Sequence, residues 1–225
     1  MKKNIVGSMS EWSGMLKDLF RQIGDGSIRL AQVQAFLEHE NPFGDEVLLS
    51  DWAKFYQEVF DLKVDLSFVQ LPEKKKGFNR LIIVAPGMTP QKLYDKRKEL
   101  FPCWKWTDRN LDEIVSSDRS AKDGAYAIWL RDRIEADEEL KNLSANDLKR
   151  MNIPGVTLEE RLLYELKFFK ETGKHLDIQN ITLGTGSRSD DGSVPRANWC
   201  VDRLEVLWFH SGDCDGHLRS RVAVS

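Results

Sequence analysis

The chain has few cysteines and no long apolar segment. Only three of its 225 residues are cysteine, namely Cys103, Cys200 and Cys214, and this wide spacing excludes a disulfide framework and is typical of a reducing compartment. No run of 18 apolar residues occurs, so the sequence predicts no membrane-spanning segment. The start, MKKNIVGSMSEWSG, has two lysines without an apolar run behind them, and we therefore expect no secretory signal and a cytoplasmic location.

An excess of one charge is also missing. The 33 lysines and arginines are balanced by 36 aspartates and glutamates, and the formal net charge is −3. Because nucleic-acid binding relies on a basic surface, this balance argues against nucleic acid as a partner. The basic cluster of Lys74–Lys76 and Arg80 keeps such binding open, but the cluster is small.

Familiar catalytic motifs are absent as well. The sequence contains no G-x-S-x-G, C-x-x-C or H-E-x-x-H pattern. GTGSRSDDGS (184–193) has the glycines of a phosphate-binding loop, but no predicted helix follows it, and such loops depend on a helix N-terminus. VAPGMTP (84–90) precedes a predicted helix, yet its two prolines leave few N–H groups for an anion. We therefore expect no cofactor.

The first part of the chain has helical periodicity. After Ser10, a candidate N-cap, apolar residues recur at helical spacing, and GDGS (24–27) interrupts the pattern before it resumes. PEKKKG (72–77) combines a proline, a charge run and a glycine, as linkers between domains do. The sequence therefore predicts a helical N-terminal region over residues 1–70 and an α+β domain over residues 78–225.

The central part alternates predicted strands and helices. RLIIVAPG (80–87) and AYAIWL (125–130) are apolar runs typical of buried strands. Thr89 and Pro90 predict the start of a helix on which Arg97 and the neighbouring lysines face solvent. Residues 157–160 form a capping box that begins a further helix with an apolar stripe, and a glycine at position 173 ends it.

Apolar alternation predicts that the chain ends in strands. A tight turn across residues 201–204 would pair Trp199 with Val206 and place the apolar side chains on one face. A second hairpin across residues 210–218 would add another antiparallel strand with the same buried face. We therefore predict an α+β fold with a helical N-terminal region, a mixed βα centre and a C-terminal antiparallel β-meander of three strands.

The segment HSGDCDGHLRSR (210–221) concentrates histidines, acids and one cysteine. In the predicted register Cys200 lies roughly 17 Å along the strand from His210, and this distance excludes a four-ligand zinc site that uses both. A metal site formed by His210, Cys214 and His217 alone stays open, as does a partial calcium-like loop at the two aspartates. The favoured interpretation is a polar turn whose side chains bond to its own backbone.

Arginines and aspartates cluster in the strand ends and loops of the C-terminal region. The candidate binding residues are Arg188, Asp190, Asp191, Arg196, Arg219 and Arg221. The favoured interpretation of these acids and arginines is that they form mutual, solvated pairs at sheet edges, which contribute little to stability. Together with seven tryptophans they favour a non-enzymatic binding or regulatory module for a protein partner or a small ligand. The alternative is a metal-assisted hydrolase that uses the acids and histidines of the C-terminal loops.

Four stretches of the sequence are distinctive, namely RLIIVAPGMTPQKLYDKRKELFPCWKWT, DGAYAIWLRDRIEADEELKNLS, GVTLEERLLYELKFFKETGKHLD and LRSRVAVS. They resemble a family of uncharacterised bacterial proteins that often has several related copies in one genome. The resemblance covers most of the chain beyond its first residues. It implies a bacterial, intracellular protein and carries no assigned activity and no functional residue.

Overall fold

The structure is a computed structural model that describes residues 8–38, 44–122 and 124–225, and it has the predicted α+β class. The chain forms two compact units, an N-terminal unit of residues 1–50 and a C-terminal unit of residues 51–225. The sequence predicts a different division, into residues 1–70 and residues 78–225, and this division stays a prediction. Within the described ranges, no helix is long and apolar enough to cross a membrane.

The described residues form seven α-helices and one short 3-10 helix, Glu138–Leu140. In chain order the α-helices are α1 Met9–Gly24, α2 Leu30–Leu37, α3 Gly44–Phe60, α4 Pro90–Lys98, α5 Leu111–Ile114, α6 Ala145–Arg150 and α7 Leu158–Thr172.

The strands form three sheets within the described residues. In chain order they are β1 Arg80–Val84, β2 Cys103–Lys105, β3 Val115–Ser117, β4 Tyr126–Leu130, β5 Ile181–Leu183, β6 Ser187–Ser189, β7 Val194–Cys200, β8 Arg203–Phe209 and β9 Leu218–Arg219. The largest sheet has five strands in the order β2-β8-β7-β5-β9, while β1 pairs with β4 and β3 pairs with β6.

The first helix described in the N-terminal unit, α1, is capped and amphipathic. Ser8, two residues before the predicted cap, caps α1: its Oγ accepts from the Glu11 N–H at 3.3 Å, and Glu11 Oε2 accepts from the Ser8 N–H at 2.6 Å. The helix ends at Gly24, the first residue of the GDGS segment that predicts its interruption. Its apolar side chains are exposed, namely Trp12, Met15, Leu16 and Phe20.

Helix α7 is buried at the centre of the C-terminal unit. The predicted capping box is present, because Thr157 Oγ1 accepts from the Glu160 N–H at 3.2 Å and Glu160 Oε2 accepts from the Thr157 N–H at 2.7 Å. Gly173, with a φ of 68°, ends the helix as predicted. The apolar stripe is buried, but the polar face is buried too, including Glu159, Glu160, Arg161, Glu165 and Lys167.

Ion pairs with distant segments allow this polar face to be buried. Arg161 donates to Glu165 on the same helix and to Asp177 beyond it, each at 2.8 Å. Arg221, near the end of the chain, donates to the other oxygen of Asp177 at 2.7 Å. His175 Nδ1 lies 2.9 Å from Glu165 Oε1. Arg161 and Glu165 therefore each have an opposite partner, as burial requires.

The predicted β7–β8 hairpin is present, but its register differs from the predicted one by two residues. Trp199 pairs with Leu204 rather than with Val206. Because the difference is an even number of residues, the same apolar side chains still share one face. The turn falls on Val201 and Asp202, and Val201 adopts the left-handed region with a φ of 55°.

The predicted third strand of the C-terminal meander is wrong. That strand was predicted to pair with β8, but β2 pairs there instead, in parallel. The last strand, β9, pairs in parallel with β5 at the opposite edge of the sheet. Ion pairs of two buried arginines accompany the placement: Arg219 donates to Glu138, which is itself exposed, and Arg221 donates to the buried Asp177. These pairs hold the last residues beside β5, away from β8.

Arg97 of α4 is buried, although its position in the helix predicts exposure. Its side chain is 0% exposed, because α4 packs against α7 and also contacts α5 and β2. Among the described residues, none of its three guanidinium nitrogens has a hydrogen-bond acceptor. Burial lowers the pKa of Arg97 to about 9, while the Cys103 thiol and the Glu165 carboxylate oppose this effect.

Candidate functional site

Three segments meet at the amino-terminal end of α7, namely β3 with the turn after it, the loop before α7, and the turn before β6. The Gly186 N–H donates to the Val156 carbonyl at 3.0 Å, and the Asp118 N–H donates to the Gly186 carbonyl at 2.8 Å. Gly155 permits the close approach, since a Cβ at that position would lie 1.7 Å from Thr185 Oγ1. Backbone hydrogen bonds and close packing therefore connect the three segments.

A cavity of about 310 Å³ lies in this region, beside α6. Its polar lining residues are Asp118, Lys149, Asn152, Thr185 and Arg188. Its apolar lining includes Leu148, Ile153 and Pro154. A cavity of this size with an apolar part and a few polar groups is typical of a small-ligand site. We call it the Arg188 cavity.

Backbone contacts hold the Arg188 guanidinium in place. Its Nη1 donates to the Thr185 carbonyl at 2.8 Å and to the Ser187 carbonyl at 2.7 Å. Six of the largely buried arginines pair with a carboxylate, namely Arg80, Arg119, Arg131, Arg161, Arg219 and Arg221, whereas the fully buried Arg97 has no hydrogen-bond acceptor among the described residues. Among the described residues, neither Arg188 nor Lys149 forms an ion pair with a carboxylate. The charged groups that line the cavity are these two cations and the single carboxylate of Asp118.

A chain of hydrogen bonds begins next to Arg188 and ends at a buried carboxyl group. The Leu158 N–H donates to Ser187 Oγ at 2.9 Å, Ser187 Oγ lies 2.7 Å from Ser117 Oγ, and Ser117 Oγ donates to Glu159 Oε2 at 2.7 Å. Because Ser117 has one hydroxyl proton and gives it to Glu159, Ser187 must be the donor to Ser117. Every proton in the chain therefore points toward the Glu159 carboxylate.

The two adjacent glutamates at the start of α7 have opposite surroundings. Burial raises the pKa of Glu159, and the hydrogen bond from Ser117 opposes this only in part. Glu159 lines a second cavity of about 220 Å³, together with Ser117 and the rim residue Lys122. Glu160 instead accepts two hydrogen bonds from Arg119, at 2.7 and 2.8 Å. Glu160 is thus neutralised by a cation, whereas Glu159 faces mainly hydroxyl groups.

Two of the predicted binding residues lie in the interior. Arg219 is 4% exposed and donates to Glu138, while Arg221 is 1% exposed and donates to Asp177 and to two backbone carbonyls. Neither of them lines the Arg188 cavity. Their contacts fix the last residues of the chain to the rest of the C-terminal unit.

The other predicted binding residues are divided between different places. Arg196 donates to Asn198, and its guanidinium lies over the Phe209 ring at 5.1 Å. Asp190 and Asp191 line a separate groove that also contains Trp208. Of the six candidates, Arg188 therefore lines the Arg188 cavity and the rest do not.

The loop after β8 has the polar turn contacts that its composition favours. It contains the three residues of the alternative metal site, His210, Cys214 and His217, and all three are exposed. The His210 N–H donates to Asp213 Oδ2 at 2.9 Å, and the His217 N–H donates to Asp215 Oδ1 at 2.6 Å. Across the ranges that the structure describes, no three histidine, cysteine, aspartate or glutamate side chains are grouped closely enough to hold a metal ion.

Both segments considered for phosphate binding have their helix N–H groups occupied by side chains. At the start of α4, Asp112 Oδ1 accepts from the Gln91 N–H at 2.9 Å. The glycines of residues 184–186 do pack against a helix N-terminus, but that helix is α7, which precedes them in the chain. There Ser187 accepts from the Leu158 N–H.

The partners of Arg188 come from distant segments that the sequence does not connect. Thr185 shares the segment GTGSRSDDGS with Arg188, but no motif marks Asp118 or Lys149. The available signal was the set of glycines at positions 155, 184 and 186, which indicates close backbone approach. Compared with protein-family models, curated proteins and solved structures, the chain matches none of them.

Proposed function

We propose that the protein is a non-enzymatic binding protein that holds a small anionic ligand, through a carboxylate or phosphate group, in the Arg188 cavity. The observation that carries the proposal is that Arg188 and Lys149 line one cavity and, among the described residues, neither has a carboxylate partner. A partly enclosed cation that pairs with no carboxylate, in a cavity with more cations than anions, favours an anionic ligand.

The orientation of Arg188 supports this proposal. Its Nη1 is occupied by the carbonyls of Thr185 and Ser187, and in the described part of the chain its Nε and Nη2 make no hydrogen bond. Those two nitrogens form the edge of the guanidinium that binds a carboxylate or phosphate with two parallel hydrogen bonds. Because the side chain is already fixed, little conformational freedom is lost when an anion binds.

The rest of the cavity indicates the size and character of the ligand. Leu148, Ile153 and Pro154 provide apolar contacts, and the amide of Asn152 provides both a donor and an acceptor. The volume of about 310 Å³ is at the lower end of the range for ligand cavities. We therefore expect a short apolar body attached to one anionic group.

Calorimetric titration of the full chain with benzoate, phenyl phosphate and benzylammonium tests the proposal. These probes share a phenyl ring and differ in the charged group. We expect binding of benzoate or phenyl phosphate and no binding of benzylammonium. Replacement Arg188→Ala should weaken binding about 10- to 100-fold, since a hydrogen bond to a charged group contributes about 1.5–3 kcal/mol.

Two further variants separate loss of the anion site from loss of structure. Lys149→Met removes an exposed charge that makes no ion pair among the described residues, and we expect weaker anion binding without a change in stability. Arg109→Ala removes an arginine that pairs with Asp190 outside the cavity, and affinity should be unchanged. Equal affinity for benzylammonium, or undiminished affinity in both cavity variants, would contradict the proposal.

A further inference from the structure

A second surface of the C-terminal unit has the composition of a ligand site. It is an open groove of about 440 Å³ between the loop after β2 and the turn after β6. Trp106, Leu207 and Trp208 contribute its apolar part, and Arg109, Asp190 and Asp191 contribute charged groups. We call it the Trp106 groove. It shares no lining residue with the Arg188 cavity, so a ligand can occupy it whether or not that cavity binds an anion.

Trp106 is an exposed aromatic ring on a firm support. Its side chain is 70% exposed. Its backbone N–H donates to the Val206 carbonyl of β8 at 3.1 Å, and its ring meets the Trp104 ring edge-on, with centroids 5.8 Å apart. A large apolar ring that is held in place yet open to solvent is suited to stack against a flat ligand surface.

The polar groups of the groove are fixed beside this ring. Arg109 Nη1 lies 2.7 Å from Asp190 Oδ2, and this ion pair connects the two loops that border the groove. The Asp190 N–H donates to the Ile114 carbonyl at 2.9 Å, which anchors the turn. Asp191 Oδ1 accepts from the N–H and the hydroxyl of Ser193. Hydrogen-bond donors and acceptors therefore line the same groove as an exposed indole.

From this combination we infer that the Trp106 groove binds a neutral saccharide. A pyranose ring has an apolar C–H face that can stack on Trp106, while its hydroxyl groups are both donors and acceptors. The Arg109–Asp190 pair supplies the complementary acceptor and donor. An anion would be repelled by Asp190 and Asp191, and a purely apolar ligand would desolvate the charged groups without replacing their hydrogen bonds.

The test is a ¹H–¹⁵N NMR titration of the full chain that follows the indole N–H signals. The probes are glucose, galactose, mannose and N-acetylglucosamine, together with maltose, cellobiose, lactose and chitobiose. We expect at least one of them to shift the Trp106 indole signal in a saturable way. Trp106 is assigned from the signal that is lost in Trp106→Phe, a variant that keeps an aromatic ring.

Variants then locate the binding. Trp106→Ala and Asp190→Asn should each weaken the strongest saccharide about tenfold, which corresponds to about 1.4 kcal/mol. Trp12→Phe changes an exposed tryptophan of the N-terminal unit and should have no effect. The inference is overturned if no saccharide shifts the Trp106 signal up to its solubility limit, or if binding persists unchanged in Trp106→Ala.

Discussion

Arg221 donates a guanidinium N–H to Asp177 at 2.7 Å, and both side chains are at most 1% exposed. The same aspartate accepts from Arg161 of α7 and from the hydroxyl of Thr182 in β5. Asp177 thus joins the central helix, the large sheet and the end of the chain.

Replacement Asp177→Asn should destabilise the protein by about 3–5 kcal/mol, because it leaves Arg161 and Arg221 buried without their full counter-charge. Asparagine tolerates the φ of 54° at this position, so the backbone itself adds little strain. The measurement is the free energy of unfolding in urea. Asp202→Asn, in the exposed hairpin turn, is the matched control and should change stability by less than about 0.5 kcal/mol. A similar small loss for Asp177→Asn would contradict the role assigned to the network.

Glu159 should make stability fall as the pH rises. Burial raises the pKa of this carboxyl above its ordinary value of 4.5, so above that pH the unfolded chain loses the proton more readily than the folded chain does. Glu159→Gln removes this titrating carboxyl group. The free energy of unfolding of the variant minus that of the natural protein should therefore increase as the pH rises from 4.5 to the raised pKa of Glu159. The measurement is urea unfolding at a series of pH values.

Glu139 provides the control of opposite sign. Hydrogen bonds from Arg133 lower the pKa of Glu139 to about 2. The Glu139 carboxylate therefore stabilises the folded protein above pH 4.5, and this stabilisation is lost as the pH falls toward 2. Glu139→Gln should therefore lose stability, relative to the natural protein, as the pH rises through that range. If both variants follow the same trend with pH, the assignment of a raised pKa to Glu159 fails.

Gly155 should not accept a methyl group. In Gly155→Ala the new Cβ would lie 1.7 Å from Thr185 Oγ1, and Thr185 is itself held by Ser220 at 2.8 Å. We expect a loss of about 1–3 kcal/mol, as for other overpacked sites, and Thr185→Ala in the same chain should recover part of it. Gly216→Ala, which has open space around it, is the control. Unfolding in urea is again the measurement, and an unaffected Gly155→Ala would show that the loops are not in close contact.

Val201 is a position at which the natural residue is unfavourable. It is a β-branched residue with a φ of 55° and is almost fully exposed. An L-residue in this region costs about 1–2 kcal/mol, whereas glycine adopts it freely. Glycine also makes the unfolded chain more flexible, and this offsets part of the gain. We therefore expect Val201→Gly to raise the free energy of unfolding by about 1 kcal/mol. A loss of stability on this substitution would contradict the observed turn.

Elements with strong local signals were predictable from the sequence. Helix α7 begins at its capping box and ends at Gly173, and the β7–β8 hairpin follows from apolar alternation. The register of that hairpin was not predictable, because Val201 is not a residue that marks a turn with positive φ. The pairing of β2 with β8 joins Cys103 to Leu204, and no local pattern encodes a contact across that sequence distance.

The candidate site shows the same limit. Arg188 stands out in the sequence, but whether an arginine binds a ligand or fixes the fold depends on which carboxylates the fold brings near it. Arg219 and Arg221 are also arginines of the C-terminal region, yet each is buried and pairs with a carboxylate. The polar face of α7 was likewise unpredictable as a buried surface, since its partner Asp177 comes from another segment.

The most direct test of the central claim is an NMR titration of the full chain with phosphate and with benzoate that follows the arginine Nε–H signals. The proposal predicts that the Arg188 signal, identified from its loss in Arg188→Lys, shifts and saturates, while the signal of Arg109 stays in place. A shift of both signals to the same extent, or no shift of the Arg188 signal with either anion, would contradict the claim that the Arg188 cavity is an anion-binding site.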